Sequence, residues 1–198
     1  FSVIRQALIE ARDWDPELSI SINLSPLQLR DPWLAQKLVK LLVETSFPGH
    51  RLEIEITETG LFDNLPLAQS IVGSLKNQGI RLALDDFGTG YSSLAHLRAL
   101  PFDRIKIDKS FVLSLLDNPE SAAIVNAIAR LGDNLSLPVT AEGVERADIE
   151  NRLREIGVNK GQGWLYGHPM PISQVRRLLA ERQLLPLSAS GAAVRQMG

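Results

Sequence analysis

The chain has 198 residues, 44% hydrophobic and 22% charged, the balance of a globular unit with a sizeable core. Its formal charge of -2 offers no attraction to a nucleic-acid polymer or an anionic membrane. The absence of cysteine excludes a disulfide framework and a thiolate zinc site, and no apolar run is long enough to span a bilayer. A cytoplasmic setting is expected, including the cytoplasmic part of a membrane-anchored protein. Phe1-Ser2-Val3-Ile4 opens on an apolar helical pattern without a start signal or a signal peptide, so residues are expected upstream.

Val3, Ile4, Leu8 and Ile9 share one helical face, predicting a first helix that ends near Asp13. Leu18 to Asn23 reads as a strand finishing on an amide. Asp31-Pro32 predicts a cap and a first-turn proline for a helix through Leu34, Leu38 and Leu42. Leu52 to Glu58 alternates strictly, as a strand does. Asn64 caps a helix carrying Ile71, Val72 and Leu75, which Gly79 closes. Ile80 to Leu84 is a short apolar strand ending on Asp85-Asp86, and a helix is expected from Leu94 to Leu100. Arg104 to Asp108 alternates again. Asn118-Pro119-Glu120 opens a long helix with Ile124, Ile128, Leu131 and Leu135 inward. Pro138 to Glu142 is a strand, followed by a helix on Ile149, Leu153 and Ile156. Gly161 to Leu165 is the last expected strand, and Ser173 caps a helix with Val175, Leu178 and Leu179.

Strand and helix thus alternate about six times with short loops, which argues for a parallel sheet flanked by helices. An open doubly wound sheet and a closed eight-stranded barrel both satisfy the pattern. A barrel needs about 250 residues, so its N-terminal strands would be missing from this chain.

The strand ends carry the chemistry. Asn23, Glu55, Asp85 with Asp86, Lys106 with Asp108, Glu142 and Gln162 end six different strands. In a barrel those ends converge on one face. Adjacent acids such as Asp85 and Asp86 repel unless a cation or donor lies between them. Hard oxygen ligands suit Mg²⁺ or Mn²⁺ better than zinc, and a lysine among acids can hold a water or steady an oxyanion. The pattern points to a two-metal hydrolysis of a phosphate ester. Glu53 shares the face of Glu55 two residues deeper, where an ion pair is expected. His50, His96 and His168 lack ligand spacing, and Trp14, Trp33 and Trp164 read as core or edge packing. Asp86-Phe87-Gly88 spells a kinase metal motif without the kinase loops that accompany it. Gly88-Thr89-Gly90 lacks the lysine of a phosphate-binding loop.

Asn23-Leu24-Ser25-Pro26, Glu55-Ile56-Thr57-Glu58, Asp85 through Leu94, Lys106 through Val112, Ala141 through Glu145 and Gln162-Gly163 resemble, in order and spacing, the EAL-domain family. The resemblance implies a modified (βα)8 TIM-type barrel that hydrolyses cyclic di-GMP to linear pGpG with Mg²⁺ or Mn²⁺. Carried over by motif position, Asn23, Glu55 and Asp85 would bind metal and Asp86 a second metal. Lys106, Glu142 and Gln162 would hold the attacking water, with Glu142 the general base, and Asp108 would position water or substrate. Glu58 would shape the loop from Asp85 to Ser93, which the family associates with dimerisation. The Glu-Ala-Leu motif itself is absent, and the family's habits imply an upstream GGDEF or sensor domain. The expected organisation is a barrel unit over residues 1–185 and a flexible tail over residues 186–198.

Two other functions compete. A non-catalytic cyclic di-GMP receptor would use the same pocket but commonly loses the acids of the central loop, which are present here. A Schiff-base lyase on Lys106 needs a neutral amine, and neighbouring carboxylates would keep it protonated.

Overall fold

In the computed structural model, residues 1–57, 64–89, 97, 100–158 and 160–186 are described. The expected helix from Leu94 to Leu100 falls mostly outside them, as do Glu58 and residues 187–198. Six strands form one sheet: β1 (Ile20–Leu24), β2 (Leu52–Thr57), β3 (Arg81–Phe87), β4 (Arg104–Ile107), β5 (Val139–Ala141) and β6 (Lys160–Gly161). Their order in space is their order in sequence, and every pair is parallel. Between and around them run α1 (Ser2–Ala11), α2 (Pro26–Leu29), α3 (Leu34–Thr45), α4 (Leu65–Lys76), α5 (Lys109–Leu113), α6 (Pro119–Leu135), α7 (Ala147–Ile156) and α8 (Ile172–Glu181). The result is a parallel half-barrel with its helices outside, as the strand–helix alternation requires.

Register explains how alternation becomes two faces. Ile22 lies beside Ile54 and Ile54 beside Leu82, while Ile56, Leu84, Ile105 and Val139 form a second apolar row. These rows meet Leu38 and Leu42 of α3, Ile71, Val72 and Leu75 of α4, and Val125, Ile128 and Ala129 of α6 in one core. Complete burial of a side chain such as Ile54 or Leu38 contributes about 2 kcal/mol. The opposite face carries Ser21, Glu53 and Arg81 in one row and Asn23 and Glu55 in the next. Both faces of β2 are therefore buried, and its alternation separates an apolar shell from a polar interior rather than a core from solvent.

The helix stops and starts follow local chemistry. Asn64 accepts from the Leu67 amide, and Asn118 from those of Glu120 and Ser121, with proline in the first turn of both helices. α7 ends on Gly157 at φ 100°, a left-handed position that glycine occupies without strain. Arg51, in the turn before β2, is buried, donates to the carbonyls of Leu18 and Ala11, and lies over the Phe47 ring. It ties the α1–β1 connection to the base of β2.

Several expectations are corrected. β3 does not stop before the two aspartates but runs through both to Phe87. The last strand is only Lys160–Gly161, because its partner β5 is three residues long and a turn at Gly163 follows. α8 starts after Pro171, so Ser173 lies inside its first turn and caps nothing. α3 starts after Trp33, whose amide donates to Asp31, two residues beyond the expected cap. The single turn α2, closed by a Ser25–Gln28 capping box, was too short for periodicity to reveal. Trp33 and Trp164 are exposed rather than packed in the core.

Candidate active site

The site begins with an irregularity in β3. Leu84 pairs with Ile105 and Phe87 with Ile107, so β3 advances three residues where β4 advances two. The extra residue is a β-bulge, and Asp86 takes it up at φ 55°. Aspartate tolerates this left-handed conformation better than most residues. The bulge returns Phe87 to the apolar core and leaves two successive carboxylates at one strand end. The Asp86 amide donates to the Asp85 carboxylate, and Thr89 Oγ1 donates to the Asp86 carbonyl.

Lys106 comes from β4 and is 2% exposed. Its Nζ lies 2.5 Å from Glu55 Oε2, 2.5 Å from Glu142 Oε1 and 3.3 Å from Asp85 Oδ1. The oxygens of Glu55, Asp85 and Glu142 all lie within 4.8 Å of one another, a grouping able to hold a metal ion. Burial, the largest single influence on the Lys106 ammonium, works to lower its pKa. The hydrogen bonds and charges of Glu142 and Glu55 outweigh it and hold the group above the ordinary lysine range. A permanently charged, triply bound ammonium is a poor imine-forming nucleophile, which counts against the lyase reading.

The other acids are set against one another. Burial pushes the Glu142 carboxyl up, Lys106 opposes this, and Asp85 and Glu55 add to it. Asp86 is likewise raised by burial and then by the charges of Asp85 and Asp108. Burial acts against the Asp108 carboxylate too, but the Ser110 hydroxyl and amide and Asp86 together hold it below the usual range. Asp108 is also the N-cap of α5, with the Ser110 amide as its partner. Five carboxylates against one buried ammonium leave a local excess of negative charge. All-oxygen donors in such surroundings fit a hard divalent cation.

The remaining candidates are placed around this centre. Asn23 pairs in register with Glu55 and so stands on the same face of the sheet. Gln162 follows β6 directly, its amide donating to the Ala141 carbonyl and its carbonyl accepting from the Val144 amide. Glu58 and most of the loop after Thr89 lie outside the described residues. The structure therefore gathers Glu55, Asp85, Lys106 and Glu142 directly and places Asp86 with Asp108 beside them. Glu142, read from sequence as a base, stands among the metal-capable oxygens.

Below this layer lies the expected ion pair. Arg104 Nε is 3.1 Å from Glu53 Oε2, Ser21 donates to the same carboxylate, and Arg104 also donates to Thr140. Both layers line one cavity of about 1230 Å³ that also reaches Gln162, Trp164 and Tyr166. The contribution of Arg104 and Thr140 is not legible in the sequence, because neither stands at the C-terminal end of its strand.

Gly163 fixes the junction between Glu142 and Gln162. A Cβ there would lie 2.3 Å from the Val144 carbonyl oxygen and 2.4 Å from its nitrogen. Gly163→Ala is expected to cost about 2 kcal/mol, since neither backbone segment can give way without breaking a hydrogen bond. Urea unfolding measures it; an unchanged midpoint would mean that the loop repacks freely.

The model of the EAL domain matches residues 1–169. The chain is 39% identical over 169 residues to the cyclic di-GMP phosphodiesterase PdeR of Escherichia coli, covering 85% of this chain and 25% of PdeR. It is similar in structure to the PaMucR phosphodiesterase in complex with c-di-GMP, with a TM-score of 0.84 and 35% identity, covering 88% of this chain and 72% of that one. It is also similar to the manganese and cy-diGMP complex of Klebsiella pneumoniae BlrP1, with a TM-score of 0.75 and 29% identity, covering 83% and 42%. The chain spans about a quarter of the length of the first curated relatives it matches.

Proposed function

The chain belongs to the EAL-domain family, and from that premise we propose that its strand-end carboxylates hydrolyse cyclic di-GMP to linear pGpG with Mg²⁺ or Mn²⁺. The observation that carries this is the convergence of Glu55, Asp85 and Glu142 around the Lys106 ammonium. The names of PdeR and PaMucR support the activity, and the BlrP1 complex supports a divalent cation at such a site. Asn23, Glu55 and Asp85 would hold one cation and Asp86 a second, with Asp108 positioning water or substrate. When bound, the cation supplies Lewis-acid polarisation of the phosphoryl oxygen and an acidified water.

The protein's own groups divide the rest of the work. Lys106 and Gln162 hold the water in line with the phosphorus. Glu142 takes the proton that the water gives up, a role its raised carboxyl suits better than an ordinary glutamate would. The bond from phosphorus to the ribose 3′-oxygen breaks, and that oxygen takes up a proton, leaving a 5′-phosphate on the linear dinucleotide. Lys106 lies close enough to steady the charge spreading over the phosphoryl oxygens.

Among the described residues no helix is long and apolar enough to cross a membrane. We place the domain in the cytoplasm, coupled to a GGDEF or sensor partner and paired as a homodimer through the loop after Asp86. Incubation of the chain with cyclic di-GMP and Mg²⁺ or Mn²⁺, followed by chromatography, tests the activity. Linear pGpG that disappears on chelation is the expected product. Tight binding without turnover in either metal would make the domain a receptor instead.

A further inference from the structure

We propose that Arg104 is a positioning residue for the reaction: with Ser21, Glu53 and Thr140 it makes a neutral tie across the sheet that sets the spacing of the cation and water groups above it. This rests on the phosphodiesterase function proposed above. Ser21 Oγ donates to one Glu53 oxygen at 3.1 Å, Arg104 Nε donates to the other at 3.1 Å, and Arg104 Nη1 donates to Thr140 Oγ1 at 2.9 Å. Side chains from β1, β2, β4 and β5 are thereby joined in one chain. The Glu53–Arg104 pair crosses β3, where buried Ala83, the register neighbour of Arg104, presents only a methyl group.

Each member of the tie stands two residues before a member of the site: Ser21 before Asn23, Glu53 before Glu55, Arg104 before Lys106 and Thr140 before Glu142. Residues two apart on a strand share a face and lie about 7 Å apart along it. The Glu142 amide donates to the Ile107 carbonyl, so the pairing of β4 with β5 continues up to that residue. A shift of one strand at the lower layer is therefore carried to the upper one.

The two layers differ in charge. Above, Glu55, Asp85 and Glu142 share the single ammonium of Lys106, and their mutual repulsion works to spread the strands until a cation binds. Below, one carboxylate meets one guanidinium, and both oxygens of Glu53 are occupied. The Glu53 and Arg104 side chains are only 9% and 12% exposed. A balanced, buried pair holds its geometry with or without metal. It keeps the upper oxygens near the separation that a cation requires before the cation arrives.

The test removes the tie without leaving a buried charge. Glu53→Leu combined with Arg104→Met replaces the pair by apolar side chains, an exchange that commonly leaves stability equal or higher. Urea unfolding in chelator is expected to show a midpoint no lower than that of wild type. The Mn²⁺ Kd, read by electron paramagnetic resonance without substrate, is expected to rise about tenfold. At saturating Mn²⁺, kcat for cyclic di-GMP should fall about tenfold while KM stays within about twofold, because the tie touches no substrate. Thr140→Val keeps the side-chain shape, removes one hydrogen bond and decides the matter if the double variant does not fold; its Mn²⁺ Kd should rise about threefold. Unchanged metal affinity in these variants, or a loss of metal affinity matched by a loss of metal-free stability, overturns the assignment and leaves the pair structural. A wild type that binds Mn²⁺ without turning over cyclic di-GMP overturns the phosphodiesterase alone, and the comparison of Kd values still decides the tie. A wild type that binds no Mn²⁺ overturns both.

Discussion

Lys106→Met is expected to lower stability by about 3–5 kcal/mol in metal-free buffer, the usual cost of removing one partner from a buried ionic cluster. The substitution keeps most of the side-chain volume but leaves Glu55, Asp85 and Glu142 mutually close with no cation between them. Urea unfolding with and without Mn²⁺ measures it. Because a divalent cation replaces the lost charge, millimolar Mn²⁺ should restore much of the loss, while turnover stays abolished because Gln162 alone does not hold the water in line. The sign with pH follows from the raised ammonium. Its contribution is complete below the unfolded lysine value of 10.5 and is lost only as pH rises through the higher folded value. The deficit of the variant should therefore be flat from roughly pH 6 to 9. A variant as stable as wild type in chelator would mean that the three carboxylates do not repel one another.

Asp85→Asn is expected to act in the opposite direction on stability and severely on activity. Asparagine keeps the oxygen that accepts from the Asp86 amide. It removes one negative charge from a cluster that has too many, so the metal-free protein should unfold at the same or a slightly higher urea concentration. Its kcat should nevertheless fall about 100- to 1000-fold, the scale of several kcal/mol of charge stabilisation supplied through the cation. Stabilisation by Mn²⁺ should shrink in parallel. Loss of activity with an equal loss of metal-free stability would instead make Asp85 a structural residue.

Much of this was legible in the residues themselves. The alternation in Leu52-Glu53-Ile54-Glu55-Ile56 predicted a strand with its acids on one side, and Glu53 and Glu55 do share the interior face. The run of strand-end side chains predicted that Glu55, Asp85, Lys106 and Glu142 would meet, and strand order makes them do so. What sequence could not show depends on pairing between distant segments. The bulge at Asp86 arises from the register of β3 against β4, which local propensity does not encode. The shortness of β6 follows from that of β5, and an apolar run such as Trp164-Leu165 reads as strand until its partner is known. The exposure of Trp164 and the position of Glu142 within bonding distance of Lys106 are likewise tertiary facts.

The central claim is that Asn23, Glu55 and Asp85 grip a divalent cation at the strand ends of the half-barrel, beside the Glu142–Lys106 pair. A crystal grown with Mn²⁺ and read at the manganese absorption edge tests it most directly. An anomalous peak within coordinating distance of the Asn23 amide and of the Glu55 and Asp85 carboxylates is expected, with Glu142 still on Lys106. Manganese bound away from Asn23, Glu55 and Asp85 would contradict it.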